Sequence, residues 1–468
     1  MTRTVELPLW LLILILLFAA VTFASHFLFP SVRWFLRRRA ERVIARLNER
    51  LERPIEPFKL ARRTDMIQRL IYDPAVVEAV AEHAHATGVR EDVAFEQARR
   101  YAREIVPGFS ATAYFGFAAR AAKWLSTALF DVRLGQYDVE NLRAIDAEAT
   151  VVYVMNHRSN MDYVLVTYLV APQSALAYAV GEWARIWPLG PLIRALGGYF
   201  IRRRARNALY RRVLARYVQL ATAGGVTQAM FPEGGLSQTG AIGAPKLGLF
   251  SYLLDDFDTD ARDLVFVPVA LNYDRVIEDN ILIEAQAKGE RRFRGTIPSA
   301  TAFSARYVWR RITRRAQKFG AAGVSFGEPL SLRAWNGQGN SAGLAHELMR
   351  RIARVMPVLP VPLLASLLAE SNAPVPRDKL LNAMIARIAD LRARGAVLLL
   401  EQDPDATLEF ALRHLIVRRI VSEAPGGLVV EPQKRALIDY YAASLPAAGD
   451  AAAETQTEKP APSESAAT

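Results

Sequence analysis

The feature that most constrains this chain is an apolar run near its N-terminus, LPLWLLILILLFAAVTFASHFLF at residues 7–29. These 23 residues carry no formal charge. As a helix rising about 1.5 Å per residue they would extend roughly 34 Å, enough to cross a bilayer. The stretch FASH weakly resembles a signal-peptide cleavage site, but the run continues beyond it as Phe27, Leu28 and Phe29. We therefore predict an uncleaved transmembrane anchor over residues 1–30.

Basic residues are concentrated directly after this run. Residues 31–63 hold eleven Arg or Lys against four Glu, whereas only Arg3 precedes the run. The positive-inside rule then predicts a single-pass protein of the cytoplasmic (inner) membrane, with the rest of the chain on the cytoplasmic side. The same cations would bind anionic headgroups. The expected partner of a chain with a net charge of +12 is therefore membrane lipid and not nucleic acid.

The remaining chain divides by the periodicity of its apolar residues. Residues 31–135 form a basic, helical region, in which 109–130 reads either as an amphipathic helix at the membrane interface or as an ordinary buried helix. Residues 136–335 form an α/β domain, residues 336–445 are helical again, and the tail 446–468, which has no aromatic, Leu, Ile or Val, is expected to be disordered.

Five short β-type runs alternate with helical stretches inside the α/β domain. They read ATVVYVM, GGYFI, GVTQAMF, LVFVPVAL and GVSFG. This alternation predicts a mixed, largely parallel sheet flanked by helices. None of the runs is followed by GxGxxG or GxxxxGK[ST], so nothing supports a nucleotide site.

The residue inventory excludes several chemistries. The chain has no cysteine, which removes disulfides, thiolate metal sites and a cysteine nucleophile. Its six histidines include no HExxH pair, and His83 and His85 stand two apart on a predicted helix, so they face different directions. We therefore expect no zinc site built from the protein's own side chains; that the reaction needs neither a metal nor a redox cofactor is an implication of the family resemblance described below.

A histidine and an aspartate five positions apart follow the first β-type run, in NHRSNMDYVL at residues 156–165. His157 would lie where the strand ends, which is where α/β sheets place their ligand crevice. If Asp162 lies in the first turn of the next helix, its carboxylate can reach one ring nitrogen and orient the imidazole. The pair is a candidate general base with its orienting group. Taken alone, this spacing also arises by chance.

Three further stretches follow other predicted strands. FPEGGLSQTG at 231–240 supplies a carboxylate, two glycines and hydroxyls; LGGYFIRRR at 196–204 supplies three arginines suited to a phosphate; FVPVALNYDR at 266–275 ends a strand near Pro268. Each alone is explained as a turn, a solvated charge run or a strand end.

Together, in this order, these stretches resemble the four motifs of the glycerolipid acyltransferases with an HxxxxD motif, most closely the glycerol-3-phosphate acyltransferase family. The matching residues are His157, Arg158, Ser159, Met161, Asp162 and Tyr163 in the first motif; Trp187, Pro188, Gly190, Pro191, Gly197, Phe200, Ile201, Arg202 and Arg203 in the second; Phe231, Glu233, Gly234, Ser237 and Gly240 in the third; and Val267, Pro268, Val269, Tyr273 and Asp274 in the fourth. The resemblance covers roughly residues 100–370.

The resemblance implies an acyl transfer without a cofactor. Acyl-CoA or acyl carrier protein donates a fatty acyl thioester, His157 deprotonates the sn-1 hydroxyl of glycerol 3-phosphate, and Asp162 orients His157. The product is lysophosphatidate, a precursor of phospholipids. The residues that the resemblance implies as substrate-binding are Arg158, Ser159, Arg202, Arg203, Glu233, Gly234, Ser237 and Lys246.

Two departures bear on the acceptor. The third motif's two arginines, which in the family contact phosphate, are here Leu236 and Gln238. Either neighbouring cations, Arg158, Arg204 and Lys246, replace them, or the acceptor differs. With Pro232, residues 231–234 read FPEG, which resembles the third motif of acyltransferases that act on lysophosphatidate at its sn-2 position. A non-catalytic homologue that binds lipid is the alternative from another functional class.

Overall fold

A computed structural model describes residues 8–17, 38–39, 41–181, 185, 189–202, 207–255, 257–258, 260–289, 318–335 and 340–445. The chain divides into two units, Met1–Ile55 and Glu56–Thr468. In the first unit, residues 9–17 and 41–48 are helical. The rest of the predicted anchor and the tail 446–468 lie outside the described residues. No helix within the described ranges combines the length and the apolar character that a bilayer crossing requires.

An eight-stranded mixed sheet lies at the centre of the second unit. Its strands are β1 (Asp131–Leu134), β2 (Thr150–Met155), β3 (Ala177–Gly181), β4 (Tyr199–Ile201), β5 (Gln228–Met230), β6 (Leu264–Tyr273), β7 (Ala321–Phe326) and β8 (Leu330–Ser331). The strand order is β1-β7-β6-β2-β5-β3-β4, and β8 pairs with β6. Strands β6, β2, β5, β3 and β4 are mutually parallel, while β7 and β8 run antiparallel to β6. The predicted α/β class with a mixed, largely parallel sheet is confirmed.

Helices surround the sheet, and two small sheets complete the unit. The helices are α1 (Pro57–Leu60), α2 (Arg63–Ile71), α3 (Pro74–Thr87), α4 (Glu91–Ile105), a π-helix (Thr112–Ala118), α5 (Ala119–Leu129), α6 (Val139–Arg143), α7 (Met161–Val170), α8 (Leu189–Ala195), α9 (Ala208–Ala223), α10 (Leu247–Leu254), α11 (Asp279–Ala287), α12 (Leu332–Trp335), α13 (Ser341–Arg354), α14 (Pro360–Ala369), α15 (Arg377–Ala393), α16 (Pro404–Val417), a 3-10 helix (Pro432–Lys434) and α17 (Arg435–Ala442). The small sheets pair β9 (Pro357–Val358) with β10 (Val397–Leu398), and β11 (Val421–Ala424) with β12 (Gly427–Val430).

Local sequence sets the helix boundaries, as α3 illustrates. Asp73 caps the N-terminus by accepting a hydrogen bond from the backbone N–H of Ala75 over 3.1 Å, and Pro74 occupies the first helical position. Gly88 ends the helix in the left-handed region at φ 68°. An N-terminal cap, a proline at the first position and a C-terminal glycine are the expected helix signals.

The central strand β2 is buried on both faces. Val151, Tyr153 and Met155 belong to one hydrophobic cluster, whereas Val152 and Val154 belong to another. Because successive strand side chains point to opposite faces, the sheet separates two apolar layers. Each fully buried aliphatic side chain stabilises the fold by about 1.5–3 kcal/mol relative to exposure.

The two layers draw on different parts of the chain. The first contains α7 and the C-terminal helices α14 to α17, and the second contains α2 to α4, α9 and α13. The predicted helical region 336–445 therefore contributes to the same cores as the α/β domain, and its last helices cover one face of the sheet.

The segment predicted as an interfacial or buried helix, 109–130, has two distinct faces. Tyr114 and Leu129 are buried, whereas Phe117 is 62% exposed and Trp124 is 49% exposed. The segment packs one side into the core and exposes these two aromatic side chains on the other, and a position at a membrane interface stays a prediction.

The parallel strands set the position of the site. Because β2, β3, β4, β5 and β6 share one direction, their carboxyl ends meet at one edge of the sheet, where α/β proteins bind ligands. The first and third motifs lie in the loops that leave this edge after β2 and β5, and the described ends of the second and fourth motifs lie at the carboxyl ends of β4 and β6.

Candidate active site

The loop that carries the histidine is fixed immediately after β2. The side chain of Asn156 donates to the carbonyl of Leu271 over 2.9 Å and accepts from the N–H of the same residue over 2.8 Å. This two-way bridge ties the loop to β6. Helix α7 begins at Met161, so His157 lies in the loop and Asp162 in the first helical turn, as the sequence predicts.

His157 and Asp162 form a direct contact. Nδ1 of His157 lies 2.9 Å from Oδ2 of Asp162, and the two side chains are only 3% and 0% exposed. The same Oδ2 accepts the N–H groups of Arg158 at 2.7 Å and Ser159 at 3.0 Å. A carboxylate held by several donors in a buried site keeps a fixed orientation.

The other carboxylate oxygen of Asp162 accepts from a residue of the neighbouring strand. The hydroxyl of Tyr273, the last residue of β6, donates to Oδ1 over 2.7 Å. Burial raises the pKa of Tyr273 well above its ordinary value, and the charge of Asp162 adds to the shift. The phenol therefore stays protonated and remains a donor. Sequence reasoning placed Tyr273 in the fourth motif but gave it no role.

Aromatic packing fixes the imidazole plane. The ring of Phe231 stacks on His157 with a centroid distance of 4.0 Å and an interplanar angle of 26°, and Tyr163 meets the imidazole edge-on at 5.6 Å. The Nδ1 contact and the stacking together define which way the opposite nitrogen, Nε2, points.

Residues of the third motif form hydrogen bonds with the backbone of His157. Glu233 accepts the N–H of His157 over 2.8 Å through one oxygen and the N–H of Gly243 over 2.9 Å through the other. The N–H of Ser237 donates to the carbonyl of His157 over 2.8 Å. Glu233 and Ser237, both predicted to bind substrate, thus hold in place the loop at residues 156–160, between β2 and α7, which we call the reaction loop.

Burial dominates the electrostatics of Glu233. It raises the pKa of this carboxyl to about 7, against the opposing effect of the two backbone N–H donors and of Arg158.

Gly234 turns the backbone at φ 66°, in the left-handed region that favours glycine. The ammonium of Lys246 donates to the carbonyl of Glu233 over 2.7 Å, and its side chain is exposed.

Glu278 is a second residue without a role in the sequence interpretation. It accepts the hydroxyl of Ser159 over 2.7 Å and both the backbone and the side-chain N–H groups of Asn160 at 3.2 and 3.0 Å. The Ser159 hydroxyl, predicted to bind substrate, therefore anchors the reaction loop. No sequence signal marks Glu278, because it lies 119 positions from Ser159.

Arg202, predicted to hold phosphate, forms a bidentate ion pair. Its Nε and Nη2 donate to the two oxygens of Glu104 over 2.8 and 2.6 Å, and Arg185 reaches the same carboxylate at 2.6 Å. Burial raises the pKa of Glu104, but the hydrogen bonds and charges of the two arginines outweigh it and the net shift is downward. Strand β4 lies three strands from β2, roughly 14 Å at about 4.8 Å per strand. Arg203 and Arg204 lie outside the described residues.

Arg158 has a different environment from Arg202. Its Nη1 donates to the carbonyl of Gly240, and its guanidinium lies over the ring of Tyr440 in α17, 5.0 Å from the centroid. The side chain is 2% exposed. The structure therefore brings most of the predicted site residues into one cluster: His157, Asp162, Arg158, Ser159, Glu233 and Ser237, together with Tyr273, Glu278 and Tyr440. Arg202 is instead bound to Glu104.

Comparison with known proteins defines the class first. A family model described as Acyltransferase matches residues 136–272, and a model described as Glycerol-3-phosphate acyltransferase C-terminal region matches residues 306–443. The chain is therefore similar to acyltransferases over residues 136–272 and to the C-terminal region of glycerol-3-phosphate acyltransferases over residues 306–443.

Curated relatives carry the corresponding name. The glycerol-3-phosphate acyltransferase of Ectopseudomonas mendocina (strain ymp) is 30% identical over 58% of this chain and 32% of its own length. That of Aeromonas hydrophila is 31% identical over 58% of this chain and 33% of its own length. The chain thus spans about a third of the length of these relatives. Among solved structures, the 1-acyl-sn-glycerophosphate acyltransferase of Thermotoga maritima matches 61% of this chain and 92% of its own, with 19% identity and a TM-score of 0.33.

Proposed function

We propose that this chain is a membrane-bound O-acyltransferase that moves a fatty acyl group from acyl-CoA or acyl carrier protein to the sn-1 hydroxyl of glycerol 3-phosphate. One observation carries the proposal: the 2.9 Å contact between His157 and Asp162 at the ligand-binding edge of the sheet. The name of the curated relatives supports the same reaction.

His157 acts as the general base. Asp162 accepts the Nδ1–H, so the lone pair of Nε2 takes the proton of the acceptor hydroxyl, and Asp162 stabilises the imidazolium that forms. The hydroxyl oxygen attacks the thioester carbonyl, the carbon–sulfur bond breaks, and the proton passes to the leaving sulfur. The ester and the free thiol account for every atom. No oxidation state changes and the thioester is already activated, so the reaction uses neither a redox cofactor nor a metal ion.

The oriented aspartate determines the strength of this base. Four donors, from His157, Arg158, Ser159 and Tyr273, converge on Asp162. Because these donors are fixed by the backbone and by β6, the imidazolium meets a carboxylate that does not need to reorganise during the reaction.

A second acceptor is favoured by the third motif. Leu236 and Gln238 stand where the resembled family has arginines, and Pro232 gives the FPEG spelling. Lysophosphatidate, acylated at its sn-2 hydroxyl, is the alternative acceptor. The chemistry at His157 is the same for both.

The membrane is the proposed location of the reaction, on the cytoplasmic face. The exposed rings of Phe117 and Trp124 lie on a segment that also exposes Arg120 and Lys123. Aromatic and basic side chains on one exposed surface suit the headgroup region of a bilayer. This surface and the apolar run at 7–29 support an association with anionic lipid.

An acylation assay tests the function. Membranes carrying the full chain are supplied with acyl-CoA or acyl carrier protein, and with labelled glycerol 3-phosphate, lysophosphatidate or a lysophospholipid in separate reactions. We expect labelled lysophosphatidate from glycerol 3-phosphate, and none above background from His157→Ala. A non-catalytic lipid-binding homologue would label no acceptor, and product from lysophosphatidate alone would replace the first acceptor by the second.

A further inference from the structure

Three buried polar atoms beside the reaction loop have no hydrogen-bond partner in the part of the chain that the structure describes. They are Nε and Nη2 of Arg158 and the hydroxyl oxygen of Tyr440. Arg158 is 2% exposed and Tyr440 is 2% exposed. Buried polar groups in proteins are nearly always satisfied, so each such group needs an explanation. Here the two side chains are in contact, because the guanidinium lies over the tyrosine ring.

The geometry points to an oxyanion subsite: we infer that Arg158 and Tyr440 bind the phosphate of the acceptor, so that the last helix, α17, completes the substrate site. This inference rests on the proposed function and assigns the acceptor's phosphate to named residues. A guanidinium with two N–H positions unused matches the geometry of a phosphate, which accepts bidentate hydrogen bonds.

The position of Arg158 suits the acceptor. It directly follows the proposed base, His157, and its backbone N–H donates to Asp162, the carboxylate that orients this base. Its remaining nitrogen, Nη1, is already bound to the carbonyl of Gly240, which leaves the Nε and Nη2 edge for a ligand. The side chain of Arg202, by contrast, is occupied by Glu104.

The surrounding charges permit an anion. Burial raises the pKa of Tyr440 to about 12, so its hydroxyl stays a donor. Burial also raises the pKa of Glu233 to about 7 and raises that of Glu278, which lowers the negative charge that these carboxyls carry near neutral pH. The buried guanidinium thus lacks a direct carboxylate partner among the described residues, and a phosphate supplies one.

The last helix closes the subsite. A side-chain carbon on Gly240 would lie 1.8 Å from the backbone oxygen of Tyr440, so α17 packs directly on the third-motif loop. This assigns a function to the C-terminal helices, for which the sequence offered none.

Two substitutions test the subsite by separating acceptor binding from folding. Arg158→Lys keeps the positive charge but loses the bidentate hydrogen-bonding geometry of the guanidinium. We expect it to raise the KM for glycerol 3-phosphate about 10- to 100-fold, because hydrogen bonds to a charged group are lost. The KM for acyl-CoA should stay within about twofold of the wild type, because the lost bonds concern the acceptor alone. Tyr440→Phe should raise the acceptor KM about tenfold without lowering the thermal midpoint, because the hydroxyl has no partner to lose in the ligand-free protein.

Tyr441→Phe is the matched control on the same helix. The Tyr441 hydroxyl donates to Asp279 over 2.6 Å and accepts from the N–H of Val276 over 3.1 Å. Its removal should lower the thermal midpoint and leave the acceptor KM unchanged. Tyr440 and Tyr441 should thus show opposite patterns.

Inorganic phosphate gives a readout that does not depend on acyl transfer. It should raise the thermal midpoint of the wild type and of Tyr441→Phe, but much less that of Arg158→Lys. The inference is overturned if the acceptor KM does not change in Arg158→Lys and Tyr440→Phe, or if the donor KM rises instead, which would assign the subsite to the phosphates of CoA. If the wild type transfers no acyl group yet phosphate stabilises it through Arg158, the proposed function fails and the oxyanion subsite stands.

Discussion

Two buried carboxylates near the same edge of the sheet, Asp162 and Glu104, are surrounded by different donors. Asp162 accepts from backbone N–H groups, a phenol and the imidazole, whereas Glu104 accepts from the guanidinium groups of Arg185 and Arg202. Neutral donors hold a carboxylate in place without cancelling its negative charge. The charge can then stabilise the protonated form of a neighbouring base. Two permanent cations neutralise it. The first arrangement supports a reaction, and the second anchors α4 to the end of β4.

The same contrast separates two of the arginines that the motif resemblance predicts to bind substrate. Arg202 meets its carboxylate within the protein, while Arg158 has donors without a partner among the described residues. A motif therefore identifies a cation, but only the fold determines whether that cation has hydrogen bonds left for a ligand.

Among the variants that compare the two carboxylates, the largest effect is expected at Asp162. Asp162→Asn keeps the shape but removes the charge that stabilises the imidazolium, and it also allows the wrong imidazole tautomer. We expect kcat for acyl transfer to fall by about 1,000-fold or more. Glu104→Gln is the matched control at the other carboxylate, and steady-state kinetics should give a kcat within about threefold of the wild type. Equal losses in the two variants would remove the distinction between the two regions.

A third carboxyl, Glu233, sharpens the comparison because it accepts only backbone N–H groups. Its pKa is about 7 in the folded protein, against an ordinary value of 4.5. A carboxyl with a raised folded pKa contributes stability that is fully present below about pH 4.5 and is lost as the pH rises through about 7. At about 1.4 kcal/mol per pKa unit, the wild type should lose roughly 3 kcal/mol relative to Glu233→Gln over this range.

Denaturant unfolding of both proteins between pH 4.5 and pH 8 measures this difference. A gap between wild type and Glu233→Gln that does not change with pH would show that the carboxyl titrates normally.

The smallest of these effects is expected at Tyr273. Tyr273→Phe removes one donor from Asp162 and should lower kcat about tenfold, in line with one hydrogen bond to a charged group. The hydroxyl matters because it helps to fix the orientation of Asp162. Tyr217→Phe, which alters another buried tyrosine in the opposite layer, should leave kcat unchanged. A wild-type kcat in Tyr273→Phe would reduce this residue to a packing role.

The sequence predicts the sheet where the strands are buried on both faces. The runs that form β2, β6 and β7 are fully buried, and most of β2 and β6 appears as a continuous apolar stretch. Strands β1 and β3 are missing from the predicted β-type runs. Strand β1 reads DVRL and is partly exposed at the sheet edge. Strand β3 reads AYAVG, which has little β-type character. Edge and alanine-rich strands gain their structure from pairing with distant neighbours.

The candidate site divides in the same way. His157 and Asp162 are five positions apart, so their contact follows from a strand end and a helix start. The partners of Asp162 and Ser159 lie 111 and 119 positions away, at Tyr273 and Glu278, and that of Arg202 lies 98 positions away, at Glu104. Such contacts depend on strand order and helix packing, which a single sequence does not specify.

The most direct test of the central claim is the rate of acyl transfer to glycerol 3-phosphate by His157→Ala, measured beside the wild type at matched amounts of folded protein. Removal of the base should lower kcat/KM by about 100- to 10,000-fold while the thermal midpoint stays close to that of the wild type. A variant that acylates the acceptor at the wild-type rate would contradict the assignment of the imidazole as the base.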